Sequence, residues 1–204
     1  MARSTRPYHH GDLKRAVVEE AARLIESKGV SSLTLREVAR RLGVSHAAPA
    51  HHFADKGALL SELGAEGFEQ LADALTDISD LTPEARLSAQ GKAYVEFALR
   101  APGHFRVMFG GGLREAGASP RLEAAASRAY AALQQSVAAV LGPIRSRSPE
   151  RLSAAVFLAW ANVHGTAMLL LDGPLPGPPL NRAAKLALLE ATVTSTVKMV
   201  ANGL

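Results

Sequence analysis

An all-α fold follows from three features of this 204-residue chain. Apolar residues recur every three or four positions along most of its length, as on one face of a helix. Pro and Gly punctuate that pattern, and no alternating strand pattern competes with it. Ala and Leu dominate while Ile, Tyr and Thr are sparse, a balance that favours helix over sheet. The expected architecture is a three-helix head in residues 1–56, of helix-turn-helix type, followed by a helical bundle in residues 57–204.

The elements can be justified in order. From Asp12 to Lys28, Leu13, Ala16, Val17, Ala21, Leu24 and Ile25 form one helical face, and Gly29 ends it as a C-terminal cap. Thr34 is a good N-cap for a second helix, with Glu37 three residues on completing the capping-box signature, and Gly43 closes that helix. Ser45 can cap a third helix over His46 to Phe53, and Asp55 a fourth that begins at Lys56. Ala39 is small where the second and third helices cross, Gly43 supplies the positive φ a tight turn needs, and Val44 and Phe53 fill the wedge below. Pro49 lacks an N–H and disfavours α geometry at Ala48.

Beyond Lys56 the pattern predicts helices at 57–78, 83–100, 102–110, 120–141, 149–171 and 182–202. Pro83, Pro102-Gly103, glycines 110–112, Gly142-Pro143 and the Pro/Gly-rich stretch 173–179 separate them. In the last segment Leu186, Leu189, Val193, Val197, Val200 and Leu204 make a seam close to a heptad. That seam wants a partner helix, either in a second copy or within its own subunit. The preceding segment is apolar around most of its circumference, so Leu152, Val156 and Val163 join the seam as candidates for a four-helix homodimer interface.

Composition bounds the chemistry. With 48% apolar and 21% charged residues the chain is globular rather than disordered. The absence of cysteine excludes disulfides, thiolate metal sites and thiol nucleophiles. The N-terminus, with Arg3, Arg6 and His9-His10, reads as a polar arm and not as a secretory signal. The uncharged run Ala154 to Leu171 holds Asn162, His164, Gly165 and Thr166 and barely reaches a membrane span, so a buried helix and no membrane association are expected. A cytoplasmic, nucleoid-associated location fits.

The net charge is +4, and its placement is informative: residues 1–56 hold 10 Lys/Arg against 6 Asp/Glu, whereas residues 57–204 hold 13 of each. A basic head on a neutral body fits either a polyanion partner or a solvated basic surface.

The stretch Leu33 to Leu60, LTLREVARRLGVSHAAPAHHFADKGALL, closely resembles the DNA-binding signature of TetR-family regulators, a match that covers about residues 10–60. The segments Trp160 to Gly165 (WANVHG) and His104 to Phe109 (HFRVMF) resemble the regulatory domain of one TetR subgroup. The resemblance implies an all-helical homodimer that represses transcription from a palindromic double-stranded DNA operator until a small-molecule effector releases it. It uses no cofactor or metal. One departure stands out: the family usually carries an aromatic residue, most often Tyr, where this chain has Ala50.

A helix laid in the major groove reads bases with its N-terminal side chains. On that geometry Ser45, His46 and Ala47 face bases, His46 pairing with guanine N7 or O6 and the small side chains permitting close approach. Thr34, at an electropositive helix start, binds phosphate or simply caps. One or two of Arg36, Arg40 and Arg41 approach the backbone. The resemblance adds phosphate contacts from His51 and Lys56, and Arg3 and Arg6 can reach a minor groove. In the body, Tyr94, Phe97, Phe105, Met108, Phe109 and Trp160 line either an ordinary core or an apolar effector pocket whose polar groups are His104, Asn162 and His164. A constitutive or architectural DNA binder without ligand is the alternative. An enzyme fits worst, because no phosphate loop or paired carboxylate stands out.

Overall fold

A computed structural model of the chain describes residues 10–78, 81–117, 119–173 and 180–202. Among these the structure is helical, without a strand: α1 His10–Lys28, α2 Leu35–Leu42, α3 Lys56–Thr76, α4 Pro83–Arg100, α5 Pro102–Phe109, α6 Gly111–Ala116, α7 Pro120–Arg145, α8 Pro149–Asp172 and α9 Arg182–Asn202. Short 3-10 turns at Val30–Ser32 and Pro49–His51 join the first three helices. Arg3, Arg6, residues 174–179 and Leu204 lie outside the described residues.

Most boundaries sit where Pro, Gly and the capping residues put them. Thr82 and Ser148 accept hydrogen bonds from the N–H groups of Ala85 and Arg151, capping α4 and α8, each of which has Pro in its first turn. Two ends differ from expectation. Gly142, at φ 78°, breaks α7 where the sequence ends it, yet a last helical stretch through Pro143 follows to Arg145. Gly110 does not open a simple turn but precedes the six-residue α6.

The chain divides into two compact units, residues 1–67 with 103–122 and residues 68–102 with 123–204. The first unit therefore holds the head, the first half of α3, and α5 with α6. Its core is the predicted apolar face of α1, Val17, Ala21, Leu24 and Ile25, packed with Leu33, Val38, Phe53, Leu59, Leu63 and Val107. Gly103 lets α5 approach α1 closely, since a Cβ there would lie 2.3 Å from the Ala22 carbonyl oxygen. Arg106 reinforces the contact by donating to the Glu26 carbonyl at 3.0 Å.

In the second unit α4, α8 and α9 pack together. Leu87, Val137, Val140, Leu141, Ala155, Val156, Ala159 and Val200 form one buried cluster. Gly91 opens the way for Val163 and Val193 to close on α4, which a larger residue would obstruct. Arg145 bridges helix ends by donating to Leu141 O at 2.9 Å and Ala201 O at 2.7 Å. By length and composition α8 is apolar enough to cross a membrane, and one side of it is buried inside this unit.

The predicted interface seam packs within its own subunit. Leu189, Val193 and Val200 are buried, as are Val156 and Val163, while Leu152 and Val197 are half-buried against the core cluster. The spacing left two alternatives open, because a 3-4 apolar pattern shows that a face is buried but not which helix buries it, and within this chain α4 and α8 pack against α9. Leu186 alone of the described seam is exposed. The apolar side chains left open on these two helices are Phe157, Met168 and Leu169 on α8, with Leu186, Leu188 and Met199 on α9.

Candidate nucleic-acid interface

The turn between α2 and the following segment is set by Gly43. Its φ of 69° places it in the left-handed region, where the Gly43 N–H reaches Arg40 O at 3.3 Å and the Val44 N–H reaches Ala39 O at 3.1 Å. This pair of bonds is the Schellman closure, and a side chain at residue 43 would strain it.

The segment after the turn is not the α-helix expected over His46 to Phe53. The N–H groups of Ala48, Ala50, His51 and His52 bond three residues back, to Ser45, Ala47, Ala48 and Pro49, at 3.0–3.3 Å. Only Phe53 makes the four-residue bond, to Pro49 O at 2.9 Å. Pro49 explains the tightening: it has no N–H to give Ser45 O, so Ala48 takes that carbonyl instead and the turn narrows to 3-10 geometry. Ser45 thus contributes its carbonyl to this end.

The segment is nevertheless two-sided. Pro49 and Phe53 are buried, Ala48 and His52 are half-buried, and Ser45, His46, Ala47, Ala50 and His51 are exposed. Phe53 anchors the buried side, and the Lys14 ammonium lies 5.9 Å from its ring centroid. Thr34 and Arg36 at the start of α2 are also exposed, whereas Arg41 and Lys56 are half-buried. Thr34 Oγ1 accepts from the Glu37 N–H at 3.0 Å, half of the predicted capping box.

Lys56 is half-buried, and its ammonium donates to the Val30 carbonyl at 3.1 Å. It thereby ties the start of α3 to the Val30–Ser32 turn, a structural duty that sequence reasoning missed. Asp55 caps α3 as expected, its Oδ1 accepting from Ala58 N at 2.8 Å.

The remaining arginines of α2 are engaged. Glu37 receives Arg40 through two bonds, Nε to Oε2 at 2.8 Å and Nη2 to Oε1 at 2.7 Å, and Arg41 Nε at 3.1 Å. Arg41 also reaches Glu20 Oε1 on α1 at 3.2 Å, and Glu20 holds Arg23 at 2.9 Å. Hydrogen bonds from Arg40 and then Arg41 pull the Glu37 carboxyl down to about 2, so it stays ionised. These charge-assisted bonds outcompete the neutral N–H that a full capping box would use. The one available sequence signal was the spacing of Glu37 to Arg40 and Arg41.

The predicted pocket residues divide between the units. His104, Phe105, Met108 and Phe109 belong to the first, where the rings of Phe105 and Phe109 meet at a tilt of 56° with centroids 4.9 Å apart, Met108 lies against Gly67, and His104 Nε2 sits 3.6 Å from Glu66. Tyr94, Phe97, Trp160, Asn162 and His164 belong to the second. There Trp160 Nε1 donates to Tyr94 Oη at 3.3 Å, and Tyr94 Oη pairs with His164 Nδ1 at 2.8 Å. Trp is a donor only, so Tyr94 Oη accepts from Trp160 while it is also bonded to His164 Nδ1. Burial pushes the Tyr94 hydroxyl up and the His164 imidazolium down, so both favour the neutral form. Asn162 instead joins α8 to α9, donating to Thr196 Oγ1 at 3.1 Å, and Phe97 is fully buried. Gln90 was not foreseen: its amide nitrogen donates to Leu75 O and Ala132 O, while its buried Oε1 has no partner. An open surface depression of about 610 Å³ lined by Asp73, Asp77 and Arg100 involves none of the predicted residues.

A Schellman-closed turn followed by an exposed, tethered segment defines a helix-turn-helix protein, here with a helical body. Residues 17–63 match the family of bacterial regulatory proteins called tetR, and residues 87–195 match the tetracyclin repressor-like C-terminal domain. The chain belongs to the tetR family. A solved protein of unknown function from Rhodococcus sp. RHA1 is 34% identical, covers 98% of both chains and superposes with a TM-score of 0.73. The TetR family transcriptional regulator PfmR from Thermus thermophilus shares the fold at 21% identity, covering 89% of this chain and 97% of its own, with a TM-score of 0.65. The uncharacterized HTH-type transcriptional regulator YobS of Bacillus subtilis (strain 168) is 24% identical over 96 residues, 47% of this chain. The chain spans about half the length of that relative, 50%.

Proposed function

We propose that the chain is a cytoplasmic, sequence-specific DNA-binding transcriptional regulator, a homodimer that represses from a near-palindromic operator and is released by a small molecule. One observation carries the reading: Ser45, His46 and Ala47 stand exposed at the leading end of a segment whose opposite side is pinned by Pro49 and Phe53. His46 offers a ring nitrogen to a guanine edge, and Ala47 brings a methyl surface to thymine. Arg36, Thr34 and His51 flank it at the level of the phosphates. Lys56 is a positioning residue in this reading, since its ammonium holds the Val30–Ser32 turn.

Two heads reading successive major grooves need half-site centres roughly 34–36 Å apart. The open apolar faces of α8 and α9, centred on Phe157, Met168, Leu188 and Met199, support pairing of two copies through these helices. Effector binding is supported by polar groups inside the second unit: the linked Trp160, Tyr94 and His164, and the orphaned Gln90 Oε1. The Trp160, His164 and Gly165 pattern supports membership of a subgroup with a Trp-x-x-x-His-Gly type regulatory domain. An effector lowers DNA affinity only by the difference in its own affinity for the two head spacings.

The test is selection of bound fragments from random duplex DNA by the full chain, followed by His46→Ala against the selected site. The substitution is expected to cost about 1–3 kcal/mol and to relax preference at one position per half-site. Selection that enriches no sequence refutes the reading.

A further inference from the structure

The charge pattern of α2 reaches beyond the base-reading segment. We propose that Glu37 sets the head's discrimination between specific and non-specific DNA by holding Arg40 and Arg41 away from the phosphate backbone. This role presupposes that the head binds duplex DNA, as argued above.

The geometry is that of a clamp. One carboxylate takes the Nε and Nη2 edge of Arg40 at 2.8 and 2.7 Å and the Nε of Arg41 at 3.1 Å. Arg40 is 65% exposed, so it is held at an open surface rather than buried in a core, and its guanidinium would otherwise be free to swing. Arg41 is bound twice, by Glu37 on its own helix and by Glu20 on α1, and is only 25% exposed. Arg36, one turn earlier on the same helix, has no ion-pair partner among the described residues. The helix thus offers one free guanidinium where its sequence offers three.

The physical consequence follows from how DNA is bound. Non-specific affinity comes almost entirely from cations that displace condensed counterions, each worth about 0.9 in the slope of log K against log salt. Base contacts do not share that dependence. Withholding two arginines therefore lowers affinity for every sequence alike and leaves the contribution of Ser45, His46 and Ala47 as a larger share of the total. Held down to about 2 by its bonds to Arg40 and Arg41, the carboxyl is ionised at neutral pH, where the pairs are fully formed.

The experiment uses the full chain and a fluorescein-labelled 30-base-pair duplex of mixed sequence, followed by anisotropy between about 50 and 300 mM KCl, a range wide enough to define the slope. Glu37→Gln, which keeps the shape and removes the charge, is expected to tighten binding on the order of tenfold at low salt. It should also steepen the slope by about 0.9 to 1.8, one increment for each guanidinium that reaches a phosphate. Arg40→Gln alone is expected to leave affinity and slope at wild-type values, and Glu37→Gln with Arg40→Gln to lose about half of the gain. Melting curves of the same samples establish that each variant is folded, so that a change of slope reports on the folded head. A wild-type slope in folded Glu37→Gln overturns the proposal. So does an Arg40→Gln variant that loses about 0.9 of slope in the wild-type background, even if Glu37→Gln does not fold. Wild-type protein that fails to bind any duplex at low salt sinks the DNA-binding reading itself.

Discussion

The close approach of α5 to α1 makes Gly103 the position where one methyl group should matter most. In Gly103→Ala the new Cβ would lie 2.3 Å from Ala22 O, 2.9 Å from Ala22 C and 3.2 Å from Ala22 Cα. Carbon and oxygen settle no closer than about 3.3 Å even in weak C–H···O contacts, so the helices must separate by about 1 Å. All three opposing atoms are backbone in the middle of α1, which cannot rotate out of the way as a side chain would. Phe105 and Val107 are both fully buried and travel with α5. A gap of 0.5–1 Å forfeits roughly a quarter to a half of each contact's attraction. The cost therefore belongs at the upper end of overpacking penalties, about 3 kcal/mol. For a chain of this length that corresponds to a melting point lower by roughly 6–12 °C. The assay is thermal melting by circular dichroism at fixed protein concentration, which matters if the protein self-associates. Gly111→Ala serves as the control, because a Cβ there meets nothing within 4 Å, and its melting point should stay close to that of the wild type. A Gly103→Ala melting point equal to that of the control would refute the packing of α5 against α1.

Further outcomes concern the surface, the buried polar groups and the response to acid. Phe157→Asp, at a side chain 71% exposed, should leave monomer stability within about 0.5 kcal/mol yet shift the sedimentation of the protein from dimer toward monomer; Leu189→Ala, at 3% exposure, should instead cost about 2–5 kcal/mol in denaturant titration. Tyr94→Phe removes the oxygen shared by Trp160 and His164 and should cost about 1–2 kcal/mol, visible as a lower denaturant midpoint with an unchanged slope. Acid acts on two groups. His164 resists protonation in the fold, so the unfolded chain binds its proton first, and stability should fall as pH drops below 6.5 toward the lowered folded value, a loss that His164→Gln lacks. The Glu37 pairs should contribute fully above 4.5 and be lost as pH falls from there to about 2, which acid titrations of wild type and Glu37→Gln would separate.

Much of the secondary structure was legible because its signals are local. Thr34 and Asp55 cap helices through bonds to N–H groups three residues away, a distance fixed by the backbone whatever surrounds it. Gly43 acts within its own turn. The exposed position of Ser45, His46 and Ala47 was legible for a related reason, since the buried partners Pro49 and Phe53 recur at helical spacing behind them. The same local reasoning fails at Pro49 itself, where the missing N–H is plain in the sequence but the narrowing of the whole segment to 3-10 geometry is not.

What the amino-acid order determined by itself is most of the helices and their ends, the basic head and the exposure of Ser45, His46 and Ala47, because each depends on neighbours a few positions apart. The tertiary structure alone decided which helices close the α9 seam, that Glu20 on α1 engages Arg41 of α2, that Lys56 serves Val30, and that Tyr94 links Trp160 to His164. Those pairings span up to 70 residues. Periodicity marks a side chain as buried or charged, but its partner depends on which helices meet, and that is fixed only when the whole core packs.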